Sequence, residues 1–388
     1  MKILYAYFDC EEHPSGRFQR AGARRFARLM GWELVCDLVG RTADQIRRSI
    51  ARHRPDGLII EASFRPEGFP IHAFGRLPVV YLDCSVTARE GRIWKVVYDS
   101  DEIGRRGARE LLRTAHQHSD FAYVGYKRKL CWSDLRAKGF ADEILRAGHH
   151  VRILSCHRGE TPESYRSRMA NWIRACPRKT AFMAANDEMA QWLLEALLAA
   201  GWNVPQDAVV LGVDNDEEIC SQVTPTLTSI RLDTARAGQV AVELLGDRLR
   251  GASPSPRTVL IGRSTVISRR STLGGGCADA AVVAASNFIR ERATWGISAH
   301  DVIERMGVSP RMAELAYRKA TGRSIAADIQ LVRFEAVFAL LKVCPRTLSA
   351  LADMCGFNNT ETLRREFHRR TGLSIREWCR RNCASVRT

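Results

Sequence analysis

Residues 356–372 read GFNNTETLRREFHRRTG, and their types and spacing suit one chemistry, the contact of a polyanion. Leu363 and Phe367 stand four apart, which on a helix makes an apolar stripe and leaves Arg364, Arg365, Arg369 and Arg370 to project from the other faces. Asn359, Glu361 and Thr362 supply polar groups at the start of that helix. A helix that enters the major groove needs both parts, polar N-terminal residues for base edges and flanking cations for phosphates.

A second set of residues suits a polyhydroxylated ligand. In AANDEMAQWLLEALLAAGWNVPQDAVVLGVDND (184–216), one β-rich run ends in Asn186 and Asp187 and a second delivers Asp214. Ligands of parallel α/β sheets bind outside the carboxyl ends of strands, where amide and carboxylate groups can exchange hydrogen bonds with hydroxyls. A single Asp at such a place serves equally well as a helix cap. A third candidate is Cys156 in SCHRG, because a nucleophilic thiolate needs a neighbouring cation or base. The tripeptide is similar to the alkyl-accepting site of DNA-repair methyltransferases, although Ser155 stands where that motif has proline. The chain shows no Gly-rich phosphate loop, no H-x-x-x-H pair and no G-x-S-x-G elbow, and His149-His150 lacks a spaced zinc partner. These patterns imply neither a metal nor a cofactor.

The elements that must position these residues follow two rhythms. Up to about residue 270, β-rich runs alternate with helical stretches: KILYAYF, WELVCDLV, DGLIIEAS, LPVVYLD, KVVYD, FAYVGY, HVRILSC, TAFMAAND and AVVLGVD. That alternation predicts an α/β fold of parallel sheets covered by helices. After STLGGGCADAA (271–281) the β-rich runs stop and the rest reads as all-α. The expected organisation is a two-lobed α/β region over 1–272, a linker over 273–281 and a helical domain over 282–388.

The helical part contains a degenerate repeat, MGVSPRMAELAYRKATGRS (306–324) and CGFNNTETLRREFHRRTGLS (355–374). Each copy has a Gly ending one helix, a short turn, a helix of about ten residues and a closing Gly, the layout of a helix-turn-helix. The two units are expected at about 298–322 and 347–372. Ser309, with Pro310 at the first helical position, is the expected cap of the first recognition helix, and Asn358 or Asn359 that of the second. Val308, Tyr317, Phe357, Leu363 and Phe367 are the expected core.

Bulk composition agrees with a soluble, nucleic-acid-binding protein. The 388 residues are 45% hydrophobic and 26% charged, with a net charge of +16. Residues 279–388 hold 18 Lys and Arg against 11 Asp and Glu, so +7 of that charge lies in the shorter helical part. No apolar run reaches the roughly 20 residues of a membrane span, and MKILYAYFDCEEH reads as a first strand rather than a signal peptide. The twelve cysteines are scattered singly, as expected of reduced thiols in the cytoplasm.

The helical part resembles the AraC/XylS family of DNA-binding domains. The matching residues are Gly307, Ser309 and Gly322; Arg333, Ala336, Leu340 and Leu341; and Leu351, Ala352, Gly356, Phe357, Leu363, Arg365, Phe367, Gly372 and Trp378. Leu315, Ile375 and Cys379 depart from the pattern, standing where the family usually has a basic residue, proline and arginine. The resemblance implies base contacts from Thr362 and Arg365. The expected DNA-binding set is Arg311 and Glu314 in the first unit and Asn359, Glu361, Thr362, Arg364, Arg365, Arg369 and Arg370 in the second.

Residues 1–272 resemble the effector domain of the LacI/GalR family without its N-terminal headpiece. The matching stretches are Asp99 and Gly104 with ARELL, WSDLRAKGF (132–140), PTLTSIRLDTARAGQVAVELL (225–245) and SRRST (268–272). The resemblance places Arg136 at the sugar-contacting arginine position. It gives the ligand set Trp132, Arg136, Asn186, Asp187 and Asp214. Joined in this order, the two halves resemble the bacterial regulators of xylose operons as a family. The implied partners are double-stranded operator DNA, a xylose-like sugar effector and a second copy of the chain as a homodimer, with RNA polymerase left open and no membrane. Alternatives are a regulator of a non-sugar ligand and an alkyl-acceptor protein using Cys156.

Overall fold

Nine short runs rich in β-branched and aromatic residues become strands, and the amphipathic stretches between them become the helices that cover those strands. In the computed structural model of the chain, the described residues are 1–8, 14–39, 42–62, 71–72, 74–83, 93–115, 120–128, 130–157, 159–252, 255–262, 264–273, 280–343 and 347–382. The first sheet holds β1 (Lys2–Phe8), β2 (Glu33–Val39), β3 (Gly57–Glu61), β4 (Val79–Leu82), β5 (Lys95–Tyr98) and β11 (Thr258–Ile261), in the order β11-β5-β4-β3-β1-β2. All its neighbours run parallel. The second holds β6 (Asp120–Val124), β7 (Val151–Leu154), β8 (Thr180–Ala184), β9 (Ala208–Val213), β10 (Thr228–Leu232) and β12 (Ser264–Ile267), in the order β12-β10-β9-β8-β6-β7. Only β12 is antiparallel to its neighbour. β10, β11 and β12 were not among the nine runs.

Each sheet is the centre of one lobe. Helices α1 (Pro14–Leu29), α2 (Ala43–His53) and α8 (Thr234–Leu249) accompany the first. The second is flanked by α3 (Ser100–Thr114), α4 (Cys131–Arg146), α5 (Pro162–Arg174), α6 (Asp187–Ala199) and α7 (Glu217–Gln222). The chain crosses between lobes from β5 into α3, from β10 into α8, and from β11 to β12. Three segments therefore join the lobes, and in parallel α/β sheets ligands bind at the carboxyl ends of the strands.

The remaining elements are helical: α9 (Ala280–Arg292), a 3-10 turn (Ala293–Trp295), α10 (Ala299–Met306), α11 (Pro310–Thr321), α12 (Ile325–Val343), α13 (Leu348–Met354), α14 (Thr360–Thr371) and α15 (Ile375–Asn382). Val302, Tyr317 and Ile329 belong to one buried cluster, and Phe334, Leu351, Phe357, Leu363 and Phe367 to another. Side chains of this size contribute about 1.5–3 kcal/mol each when fully buried. The long α12 serves both clusters. Its Arg333 donates to the carbonyls of Ala293 (2.9 Å) and Ile297 (2.7 Å) while its guanidinium lies 5.9 Å from the Phe357 ring, tying the two units together.

Two local expectations need correction. Val308 is 43% exposed rather than core, whereas Phe357 at the matching turn is buried. The first turn has one residue fewer between its Gly and its cap, and it does not fold Val308 inward. Ser309 occupies the cap position, with Pro310 at the first helical position, without making a side-chain capping bond. Asn359 does cap α14, accepting from the Thr362 amide at 2.8 Å. Of the segment 273–281, residues 274–279 lie outside the described residues, while Leu273 is buried and α9 already begins at Ala280.

Candidate functional site

The second lobe brings its candidate residues to one end of the sheet. Asn186 follows β8 and caps α6 by accepting from the Met189 amide (3.1 Å). Asp187, the first residue of that helix, accepts from Ser229 Oγ (2.6 Å) and the Asp216 amide (2.7 Å). Ser229 also accepts from the Asn215 amide (3.0 Å), so the ends of β9 and β10 are laced to the start of α6. Asp214, directly after β9, has φ 106, and Asn215 has φ 54. Such backbone costs roughly 1–3 kcal/mol in a non-Gly residue and tends to persist at ligand sites. The cap of α7 is Asp216, not Asp214, which removes the capping role considered for Asp214.

Arg136, in the second turn of α4, is only 4% exposed. It donates to the Ala185 carbonyl at 2.5 Å, beside Asn186, and its guanidinium stacks 4.6 Å from the Trp132 ring. Trp132 packs in turn on Tyr126 at 5.2 Å. Arg136 Nε is buried without a hydrogen-bond partner among the described residues. Arg136, Trp132, Asn186 and Asp187 therefore cluster, and Asp214 adjoins Asp187 closely enough to act on its charge.

The first lobe supplies groups that the sequence patterns did not single out. Tyr5 Oη donates to Glu61 at 3.2 Å, Arg20 reaches the same carboxylate at 3.3 Å, and Gln19 Nε2 donates to Tyr98 Oη at 2.7 Å. Gln19 Oε1 is buried and unpartnered among the described residues. Burial, more than any neighbour, raises both the Glu61 carboxyl and the Tyr98 phenol, and Asp83, Asp214 and Glu61 add to the rise at Tyr98. Asp214 of the second lobe is thus near enough to Tyr98 of the first for its charge to be felt there. The available signal was Glu61, an acid closing the apolar run GLIIE.

Burial and then the Asp214 carboxylate push Asp187 up to about 8. The folded protein thus keeps a proton that the unfolded chain releases near the ordinary carboxylate value. The associated stability is complete below about pH 4 and is lost as pH rises toward 8. Asp187→Asn fixes the neutral form, so calorimetric melting should show the variant gaining on the parent between pH 5 and 8. A pH-independent difference would mean that Asp187 is ionised throughout.

Helix α3 connects this cleft to the helical part. A Cβ on Gly104 would lie 2.1 Å from the Arg136 carbonyl oxygen, and one on Gly107 would lie 2.3 Å from Met183 Sδ on β8. The absence of both side chains sets α3 directly on the elements that carry Arg136 and Asn186. Near its other end, buried Arg113 pairs with Asp328 of α12 (2.6 Å) and with Glu110 (2.8 Å). Glu110 receives both nitrogens of the Arg290 fork from α9 (2.7 and 3.0 Å), and Tyr317 of α11 donates to Asp328 (2.8 Å). Burial opposes ionisation of Glu110, but Arg113 and Arg290 override it and hold the carboxyl well below the usual range. This junction also escaped the sequence reading. The hint was Glu110, a charge seven residues after Ile103 and on the same apolar stripe.

The helical part presents two second helices to solvent. On α14, Glu361, Arg364, Arg365 and Arg369 are exposed, and Thr362 is half-buried. Arg364 lies 3.8 Å from Glu361, and Arg369 is paired with Glu366 at 2.6 Å. Arg370 lies over the Phe334 ring at 4.8 Å, so part of it packs on the core. Arg365 makes no ion pair among the described residues, which leaves its fork of donors available. On α11, Arg311 is exposed, while Glu314 is half-buried with Oε2 turned inward. Cys156 is buried, and its one S–H has the carbonyls of Lys127 (3.1 Å) and His157 (3.3 Å) as alternative acceptors. Among the described residues no cluster of His, Cys, Asp and Glu could hold a metal, and no helix is long and apolar enough to cross a membrane.

Comparison with known proteins agrees with this layout. Residues 98–272 match the family described as a periplasmic binding protein-like domain, and residues 302–381 match a helix-turn-helix domain. The xylose operon regulatory protein of Escherichia coli K12 is 28% identical over 199 residues, covering 50% of this chain and 51% of that protein. The match therefore spans about half the length of this relative. Its counterpart in Haemophilus influenzae is 26% identical over 271 residues, covering 68% and 69%. Among solved structures, that of the xylose-binding transcription activator XylR covers 98% of this chain and 99% of its own at TM-score 0.57 and 19% identity, a likeness of fold. The cellobiose complex of the regulator CelR covers 69% of this chain and 84% of its own at TM-score 0.58 and 22% identity. The chain thus carries a periplasmic binding protein-like domain match followed by a helix-turn-helix domain match in one polypeptide, and it is homologous to the xylose operon regulatory proteins.

Proposed function

We propose that this protein is a cytoplasmic, sequence-specific transcription regulator whose hold on operator DNA is set by a small sugar, xylose or a related monosaccharide. Residues 1–272 form the effector domain, 273–281 the linker and 282–388 the DNA-binding domain, and two copies act together as a homodimer. The observation that carries this reading is the buried junction of Glu110, Arg113, Arg290 and Asp328, which joins a ligand cleft to a pair of helix-turn-helix units. The chemistry is binding alone.

A ligand shifts an equilibrium only by its differential affinity for the two states. Arg136 and Asp214 on one lobe and Gln19, Glu61 and Tyr98 on the other can all engage a sugar only when the lobes are closed. Closure moves α4 and β8 with the lobe that carries α3, and α3 passes the change to α9, α11 and α12. Selection of an operator from a duplex library, followed by affinity measurements with pentoses, hexoses and uronic acids, tests the whole reading. DNA affinity that responds to none of these sugars would remove the sugar from it.

The basic residues of α14 should separate into two kinds. Arg365→Ala should cost about 1–3 kcal/mol on the preferred operator and flatten discrimination at one base pair, as for a bidentate guanine contact. Arg369→Ala should weaken all duplexes alike and lower the salt slope by about one. Binding to cognate and scrambled DNA across a salt series checks both. Equal losses on both duplexes for Arg365→Ala would make it a phosphate contact.

A further inference from the structure

Counted from the caps Ser309 and Asn359, the two second helices correspond residue for residue. Ala313 and Leu363 are buried, as are Tyr317 and Phe367, and Gly322 and Gly372 close the helices at φ 73 and 69. This register sets Met312 where α14 carries Thr362, and Leu315 where it carries Arg365. Met312 and Leu315 are 55% and 62% exposed, three residues apart on the N-terminal half of α11. Neither belongs to the adjoining buried cluster, so the fold itself gives no reason for apolar side chains there. Exposed Arg311, Arg318 and Lys319 surround them with positive charge.

A duplex offers one apolar group in its major groove, the C5 methyl of thymine. We propose that the first unit reads thymine, Met312 and Leu315 packing on C5 methyls of an A·T-rich segment while Arg311, Arg318 and Lys319 meet the flanking phosphates. The operator would then be asymmetric within each half-site, with a thymine segment under α11 and a separate guanine-containing segment under α14. This rests on the DNA-binding reading above and adds the base class that the first unit recognises.

The test selects duplexes from a randomised library with the full-length protein. It then replaces each selected thymine by uracil, which removes the methyl group and nothing else. Uracil at contacted positions should weaken binding about three- to fivefold per methyl. That sensitivity should vanish at one thymine in Leu315→Ala and at both in the double variant Met312→Ala, Leu315→Ala, and persist in Arg365→Ala, while Leu315→Arg should move the preference at its base pair toward guanine. Uracil that is silent at every thymine overturns the assignment. So does Leu315→Ala with unchanged base preferences but impaired transcription, which would give this face to RNA polymerase. Failure to select any duplex would instead overturn the DNA-binding reading, on which the assignment rests. Leu315 is exposed, and an unchanged melting temperature verifies that each variant is folded.

Discussion

Removing Arg113 is expected to destabilise the protein by about 3–5 kcal/mol, the usual cost of leaving one buried charge uncompensated, and removing Asp328 by less, because Arg113 keeps its pair with Glu110 at 2.8 Å. The side chains of both residues are only 5% exposed, at a contact of 2.6 Å, so solvent cannot replace the lost partner. In Arg113→Ala, Asp328 retains only the Tyr317 hydroxyl, at 2.8 Å, among the described contacts. The double variant Arg113→Met, Asp328→Leu should recover most of that stability, because apolar groups of similar volume need no compensation. It should still lose the effector response, since Arg106–Glu335 at 3.5 Å and the Arg290–Glu110 fork are then the remaining described ionic ties between α3 and the helical part. Coupling between sites is typically 1–3 kcal/mol, so sugar-dependent changes in operator affinity of 5- to 150-fold should shrink toward none. Unfolding by urea and operator titrations with and without sugar measure the two effects. A double variant that keeps the full sugar response would show that the signal travels elsewhere.

The same residues show where sequence reading reaches and where it stops. The helix-turn-helix units were legible because their information is local: left-handed Gly307, Gly322, Gly356 and Gly372, apolar pairs four apart, and a cap at each second helix. The parallel sheets were legible for the same reason, as runs such as AVVLGV and GLIIE announce fully buried strands. Arg113 and Asp328, 215 residues apart, carry no local mark of their partnership. The first-lobe groups Gln19, Glu61 and Tyr98 meet only through the parallel order β5-β4-β3-β1 and the return of α1 over it, a topological fact that no short window holds. Asp187 was singled out as a ligand group, yet both its oxygens accept bonds from within its own lobe. Spacing alone cannot tell a group that touches the ligand from one that holds the wall behind it.

That distinction gives the expected order of effects in the cleft. Arg136→Ala should weaken sugar binding at least tenfold, because a charged group hydrogen-bonded to a ligand contributes roughly 1.5–3 kcal/mol. Arg136 is already positioned by the Ala185 carbonyl and the Trp132 ring, so little side-chain entropy remains to be lost on binding. Asp214→Ala should match it in size, because Ala at φ 106 bears the same non-Gly strain that Asp214 already bears. Asp214→Gly removes the carboxylate and that strain together, so the difference between the two variants measures the backbone's share. Asp187→Asn should change affinity less than either, consistent with a carboxyl that faces Ser229 and Asp216. A bound sugar at 100 times its dissociation constant raises stability by about 2.7 kcal/mol, enough for a thermal-shift screen to find the effector before calorimetry on the variants. If Arg136→Ala and Asp214→Gly both keep parental affinity for a sugar that the parent binds, the cleft takes its ligand through the first lobe, and Gln19, Glu61 and Tyr98 are the residues to replace next.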